Sequence, residues 1–141
     1  MVNQTQGDED KDFPSTLPGT VIGGKYRIDG LIGRGGMGSV WSAVHLGLGQ
    51  RVAVKLIAKR YANSREARQR FDLEAKAVAQ LRSRFVVQVY DNGETGDGTP
   101  YIVMELIDGV PLSALITPGS PLPLAREIGR ASCRERVFGY V

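Results

Sequence analysis

The chain has 141 residues, 42% of them apolar and 23% charged, with a net charge of +3 and a single cysteine. That length suits about one compact domain, and the composition excludes collagen-like, coiled-coil and disulfide-stapled classes. Cys133 has no partner for an internal disulfide, so a reducing, cytoplasmic setting is the expectation.

Residues 1–24 are polar and punctuated by Pro14, Pro18, Gly19, Gly23 and Gly24. Too few apolar side chains are present to offset the entropy of ordering, so this stretch reads as a flexible leader. Asp8, Glu9, Asp10 and Asp12 make it acidic, which does not fit a signal peptide, and no apolar run reaches the roughly 18 residues needed to span a bilayer. Residues 25–33 (KYRIDGLIG) and 39–45 (SVWSAVH) favour β-structure and flank a glycine cluster, giving a hairpin with an unusual loop. Gly47 and Gly49 mark the next turn, and residues 51–58 (RVAVKLIA) read as a third, buried strand.

From Ser64 to Leu81 the period changes. Ala67, Phe71, Ala75, Val78 and Leu81 recur every three or four residues and share one helical face. Asn63, followed by Glu66, is the expected N-cap. Residues 85–90 (FVVQVY) and 101–107 (YIVMELI) are two further strands, joined by a Gly- and Asp-rich turn over 91–100. The order β-β-β-α-β-β predicts an α+β fold, a five-stranded antiparallel sheet with one packed helix.

Chemistry concentrates in two of these elements. Gly33, Gly35 and Gly38 fit G-x-G-x-x-G, a weak signal alone because hairpin glycines often serve only the turn. A dinucleotide-binding loop would lead into a helix, and a Walker A loop would carry Lys and Ser/Thr after its second glycine. Here a strand-like run follows, with Ser39 and Val40 in those two positions. The remaining reading is a flap between antiparallel strands, whose backbone N–H groups approach phosphate oxygens because side chains are absent. Gly33-Arg34-Gly35-Gly36-Met37-Gly38-Ser39-Val40 fits G-x-G-x-x-G-x-V, and fifteen residues after Val40 the run Val52-Ala53-Val54-Lys55 ends in a lysine. Ala53, Lys55 and Ile57 share one strand face, and Val52, Val54 and Leu56 the other. An amine in a strand apolar on both sides needs an anionic partner. Nucleotide phosphates are one candidate, and Glu74, beside the apolar stripe of the helix, is another.

On these motifs residues 25–127 resemble the N-terminal lobe of protein kinases, and Gly33 to Trp41 most resemble bacterial serine/threonine kinases of the eukaryotic-like type. The resemblance implies that Lys55 orients the ATP phosphates and that Glu74, in the C-helix-like run Phe71 to Ala75, holds Lys55. It implies that Val40 and Ala53 cover the adenine face and Ile32 its outer edge. Met104 becomes the gatekeeper, while Glu105 and Ile107 offer adenine backbone C=O and N–H groups. Asp108 and Gly109, then Leu112 and Leu115, carry the chain toward a second lobe. Ser83 to Val87 depart from the family's usual His-Pro-Asn-Ile-Val, which affects a turn rather than the chemistry. The implied partners are ATP, Mg2+ in the intact enzyme, and proteins bearing Ser/Thr hydroxyls. Any membrane anchoring would come from segments outside these residues.

The family's catalytic H-R-D, metal-binding D-F-G and A-P-E motifs do not occur here, and no metal ligands are expected within the chain. The polypeptide as written is therefore expected to hold nucleotide without transferring phosphate. Residues 121–127 look like the start of the next helix. Residues 128–137 (IGRASCRERV) instead match the translation of a common sequencing adapter, so 128–141 are expected to be a non-native tail. That tail holds Cys133 and Arg130, Arg134 and Arg136, hence much of the net charge. An alternative reading is a genuine short, non-catalytic nucleotide-binding or kinase-interacting module. A basic nucleic-acid binder fits poorly, because aromatics are only 7% and no basic stripe interleaves with them.

Overall fold

A computed structural model describes residues 18–83, 86–109 and 119. The leader up to residue 17, Arg84 and Phe85, Leu112 and Leu115, the helix start at 121–127 and the tail at 128–141 lie outside the described residues. Six strands form one sheet: β1 (Val21–Ile22), β2 (Tyr26–Arg34), β3 (Gly38–His45), β4 (Arg51–Ile57), β5 (Val89–Glu94) and β6 (Pro100–Glu105). Their spatial order is β1-β2-β3-β4-β6-β5, and every neighbouring pair is antiparallel. Helices α1 (Lys59–Ala62) and α2 (Arg65–Gln80) connect β4 to β5.

Four of the expected strands are present with small differences at their ends, and the one expected over 85–90 is displaced: 86–88 are not strand, and β5 lies at Val89–Glu94. Within residues 18–24, assigned to the leader on composition, Val21 and Ile22 pair with β2, so the sheet has six strands rather than the expected five. Ile22 is buried opposite Tyr26, and the Gly19 N–H and Thr20 C=O bond to Ile28. Two apolar residues were enough to extend the sheet because β2 supplied an open edge. Strand β5 starts at Val89 and runs on through Asp91, Asn92 and Gly93, which composition marked as turn. The turn itself is only 95–99. There Thr95 N–H bonds to Thr99 C=O at 2.9 Å, and Gly98 takes φ +81°, a conformation that favours glycine. Pairing with β6 outweighed the weak strand propensity of those polar residues.

Helix α2 presents the predicted face: Ala67, Phe71, Ala75 and Val78 are buried against Val40, Ala53, Ile57, Ile102 and Met104. Burying Phe71 alone contributes about 1.5–3 kcal/mol. The cap is Ser64, whose hydroxyl accepts from Ala67 N–H at 3.2 Å; Asn63, the expected cap, closes α1 instead. The short helix α1, not foreseen in the sequence, shifts the start of α2 by one residue. Leu81, expected on the buried face, is the C-cap and 48% exposed, because the helix ends before it. Glu66 pairs with Arg70 one turn on, and both are exposed.

The other sheet face carries a second apolar cluster, including Ile28, Trp41, Val52, Val54, Leu56, Tyr101 and Val103. No described helix covers it; the sheet curls over it. Tyr26 of β2 donates its hydroxyl hydrogen bond to Asp91 of β5 at 2.8 Å, across three intervening strands, and Lys25 Nζ lies 3.5 Å from the same carboxylate. Burial raises the Asp91 pKa, but the bonds from Tyr26 and the Asn92 N–H, together with the Lys25 charge, bring it below its ordinary 3.8. Burial and the Asp91 carboxylate hold the Tyr26 phenol well above its usual range. Tyr26→Phe is expected to cost about 1.5–2 kcal/mol, the lower range for a hydrogen bond to a charged group. Because Asp91 is more acidic folded than unfolded, its stabilisation is present above pH 3.8 and lost as pH falls through the folded value. Urea melts between pH 2 and 7 should therefore show a shallower acid limb in the variant; superimposable acid limbs would remove Asp91 from this role.

Candidate functional site

The glycine flap is the link from β2 to β3. Gly33 pairs with Val40 and Arg34 with Ser39, and the Gly35 N–H closes the turn on the Gly38 C=O at 2.8 Å. Two bulges interrupt β2, one at Asp29 and one at Ile32. A bulge re-aims its extra residue. Ile32 accordingly stands 43% exposed at the rim of the flap, and Met37 at its tip is 46% exposed.

Among the four flap glycines, Gly36 and Gly38 differ in what surrounds them. None takes a positive φ, so left-handed backbone is not the reason for any of them. At Gly38 an added Cβ would come closer than 3.0 Å to the Leu56 carbonyl oxygen, whereas at Gly36 it would meet nothing within 4 Å. Gly38 is therefore a packing requirement of the β3–β4 pair, and Gly36 is open space. Ser39 is fully buried, its hydroxyl accepting from the Trp41 indole N–H at 2.8 Å. Strand parity sets Ser39 and Trp41 on the face away from Val40, so only the Ser39 backbone can serve a ligand under the flap.

Lys55 sits directly opposite Val40 on one side and Ile102 on the other. Its strand neighbours on that face are Ala53 and Ile57, both buried, and Met104 is the cross-strand partner of Ala53. The amine is half-buried in an apolar surround. Burial pushes its pKa below the ordinary 10.5, and the Glu74 carboxylate pulls the other way without cancelling it. The structure thus brings Lys55 and Glu74 within electrostatic reach, with Glu74 itself on an exposed position of α2. Such an ammonium, part-desolvated next to a glycine flap, is suited to hold a polyanion.

On the same face Val40, opposite Lys55, and Met104, opposite Ala53, are buried, while Glu105 and Ile107 are half-buried where β6 leaves the sheet. The Glu105 N–H donates to the Gln88 C=O at 2.9 Å, which ties the strand end to the segment before β5. Sequence reasoning passed over Arg60. It lies in α1, where no motif marks it, yet its guanidinium donates to the Gly36 C=O at the flap tip.

The protein kinase domain family matches residues 26–133. The serine/threonine-protein kinase PknA of Mycobacterium tuberculosis (strain ATCC 25618 / H37Rv) is 42% identical over 102 residues, covering 70% of this chain and 24% of that protein. PknL of the same strain is 37% identical over 107 residues, covering 76% and 27%. The crystal structure of the M. tuberculosis PknI kinase domain superposes with a TM-score of 0.64 at 28% identity, over 77% of this chain and 44% of that one. The chain thus spans about a quarter of the length of these curated relatives.

Proposed function

The chain belongs to the protein kinase domain family, and from that premise we propose that it is the ATP-binding part of a serine/threonine protein kinase. Lys55 orients the α- and β-phosphates, Glu74 holds the Lys55 ammonium, and the flap over residues 33–38 positions the γ-phosphate with its backbone N–H groups. Val40, Ala53 and Met104 line the adenine slot, Ile32 closes its edge, and Glu105 and Ile107 offer it backbone hydrogen bonds. In the whole enzyme the acceptor is a protein Ser/Thr hydroxyl, in the ATP-rich, reducing cytoplasm. The contribution of these residues is positional and electrostatic. What supports the reading most is Lys55: a half-buried cation on an apolar face, one strand from a glycine flap.

The family's Mg2+ does not fit the described residues, where no three His, Cys, Asp or Glu side chains converge. Among the described residues no helix is long and apolar enough to cross a membrane.

Calorimetric titration of the 141-residue chain tests the assignment. ATP should bind more tightly than adenosine, because only ATP reaches Lys55 and the flap, and radiolabelled ATP should leave a generic Ser/Thr protein substrate unlabelled. Equal affinity for ATP and adenosine would remove the phosphate site.

A further inference from the structure

The flap tip is tied to a part of the chain outside the glycine motif. The Gly36 carbonyl accepts from Arg60 Nη2, and the Met37 carbonyl accepts from the Ala58 N–H at 2.9 Å. Ala58 and Arg60 flank the start of α1, the short helix that follows β4. The Arg60 guanidinium also lies over the Tyr61 ring, 5.0 Å from its centroid, which narrows where it can point.

This geometry has a directional consequence. No peptide in the described chain is cis, and in a planar trans peptide C=O and N–H point opposite ways. Whatever fixes the Gly36 C=O therefore fixes the Met37 N–H on the far side of the same plane. Packing does not do this: a Cβ at Gly36 would meet nothing within 4 Å, and the Met37 side chain is 46% exposed. Glycine at 36 leaves the plane easy to rotate unless a hydrogen bond holds it.

We propose that Arg60 is a positioning residue for the nucleotide phosphates, holding the Gly36 carbonyl toward α1 and so keeping the Met37 N–H turned to the opposite side for a phosphate oxygen. This rests on the ATP-binding reading above. Arg60 acts through the 36–37 peptide and does not itself touch the nucleotide. It keeps that donor oriented before ATP arrives, which cuts the ordering cost of binding.

The test uses the full 141-residue chain as wild type, Arg60→Ala and Arg60→Lys. Amide hydrogen exchange over residues 35–38 without nucleotide reads the tie, and titrations with ATP and with adenosine read its consequence. Arg60→Ala should speed that exchange and weaken ATP about five- to tenfold, as for one lost hydrogen bond, with adenosine affinity unchanged. Arg60→Lys, which keeps one donor in reach, should recover part of both. Parallel loss of ATP and adenosine affinity would mark a merely structural role and overturn the proposal, as would wild-type exchange rates in Arg60→Ala. Tight ATP binding by wild type with unchanged affinity in Arg60→Ala overturns the proposal alone. No ATP binding by wild type overturns the ATP-binding reading, and the proposal falls with it.

Discussion

Replacing Gly38 with alanine is expected to lower the stability of the chain by about 3 kcal/mol, while the same change at Gly36 leaves stability nearly untouched. The new methyl at 38 would overlap the Leu56 carbonyl oxygen and press on the Leu56 carbonyl carbon at 3.2 Å and the Ile57 Cα at 3.4 Å. These are backbone atoms of the neighbouring strand and cannot rotate away, so β3 and β4 must part where Gly38 faces Ile57. Overpacking of about 1–3 kcal/mol and one or two ladder hydrogen bonds of about 1 kcal/mol each are lost together. The total, about 3 kcal/mol or more, is a large share of the 5–15 kcal/mol typical of a domain. At Gly36 the methyl enters open space and the backbone is not left-handed, so the change stays within about 0.5 kcal/mol. Urea denaturation followed by Trp41 fluorescence measures both. A wild-type midpoint for Gly38→Ala would show that the third glycine of the motif is not set by strand packing.

Lys55→Met is expected to separate stability from binding. In the folded chain burial lowers the Lys55 pKa below 10.5, with Glu74 only partly opposing it. Between the folded value and 10.5 the unfolded chain therefore holds more protons, and stability rises with pH through that window. Below it the folded state carries the full cost of a part-buried ammonium. Methionine has similar reach and no charge, so the variant should be as stable as wild type or more so at pH 7, and should lose that alkaline rise. ATP binding should fall more than about tenfold, as charge-assisted contacts to phosphate contribute about 1.5–3 kcal/mol. Denaturation at several pH values up to 10.5, paired with ATP titration, reads both effects. A marked loss of stability at pH 7 would make the Lys55–Glu74 pair a structural support instead. Undiminished ATP affinity would take Lys55 out of the site.

The two outcomes bear on one question, which parts of the glycine motif are architecture and which are free for a ligand. Gly38 and Ser39 belong to the sheet: one lets β4 approach, and the other spends its hydroxyl on Trp41. Gly36 and Met37 are held from outside, through Arg60 and the Ala58 N–H. A motif that reads as one unit in the sequence is thus divided at the flap tip.

Elements whose signal is local were legible from residue order alone. The stripe Ala67, Phe71, Ala75, Val78 has helical period, and all four are buried on α2. The alternation in residues 51–58 fixed which face Lys55 shares, because successive side chains in a strand must point to opposite sides. Period and parity need no knowledge of neighbours, and the flap and its lysine were legible for that reason. Features that depend on groups distant in sequence emerged only when the strands were assembled. Val21 and Ile22 became a strand because β2 offered an edge, and 91–94 joined β5 because β6 lay alongside. Tyr26 meets Asp91 65 positions away because the sheet curls, and Arg60 reaches Gly36 24 positions away because β4 runs antiparallel to β3. Such contacts follow from twist and register summed over several strands, and no single stretch of sequence encodes that sum.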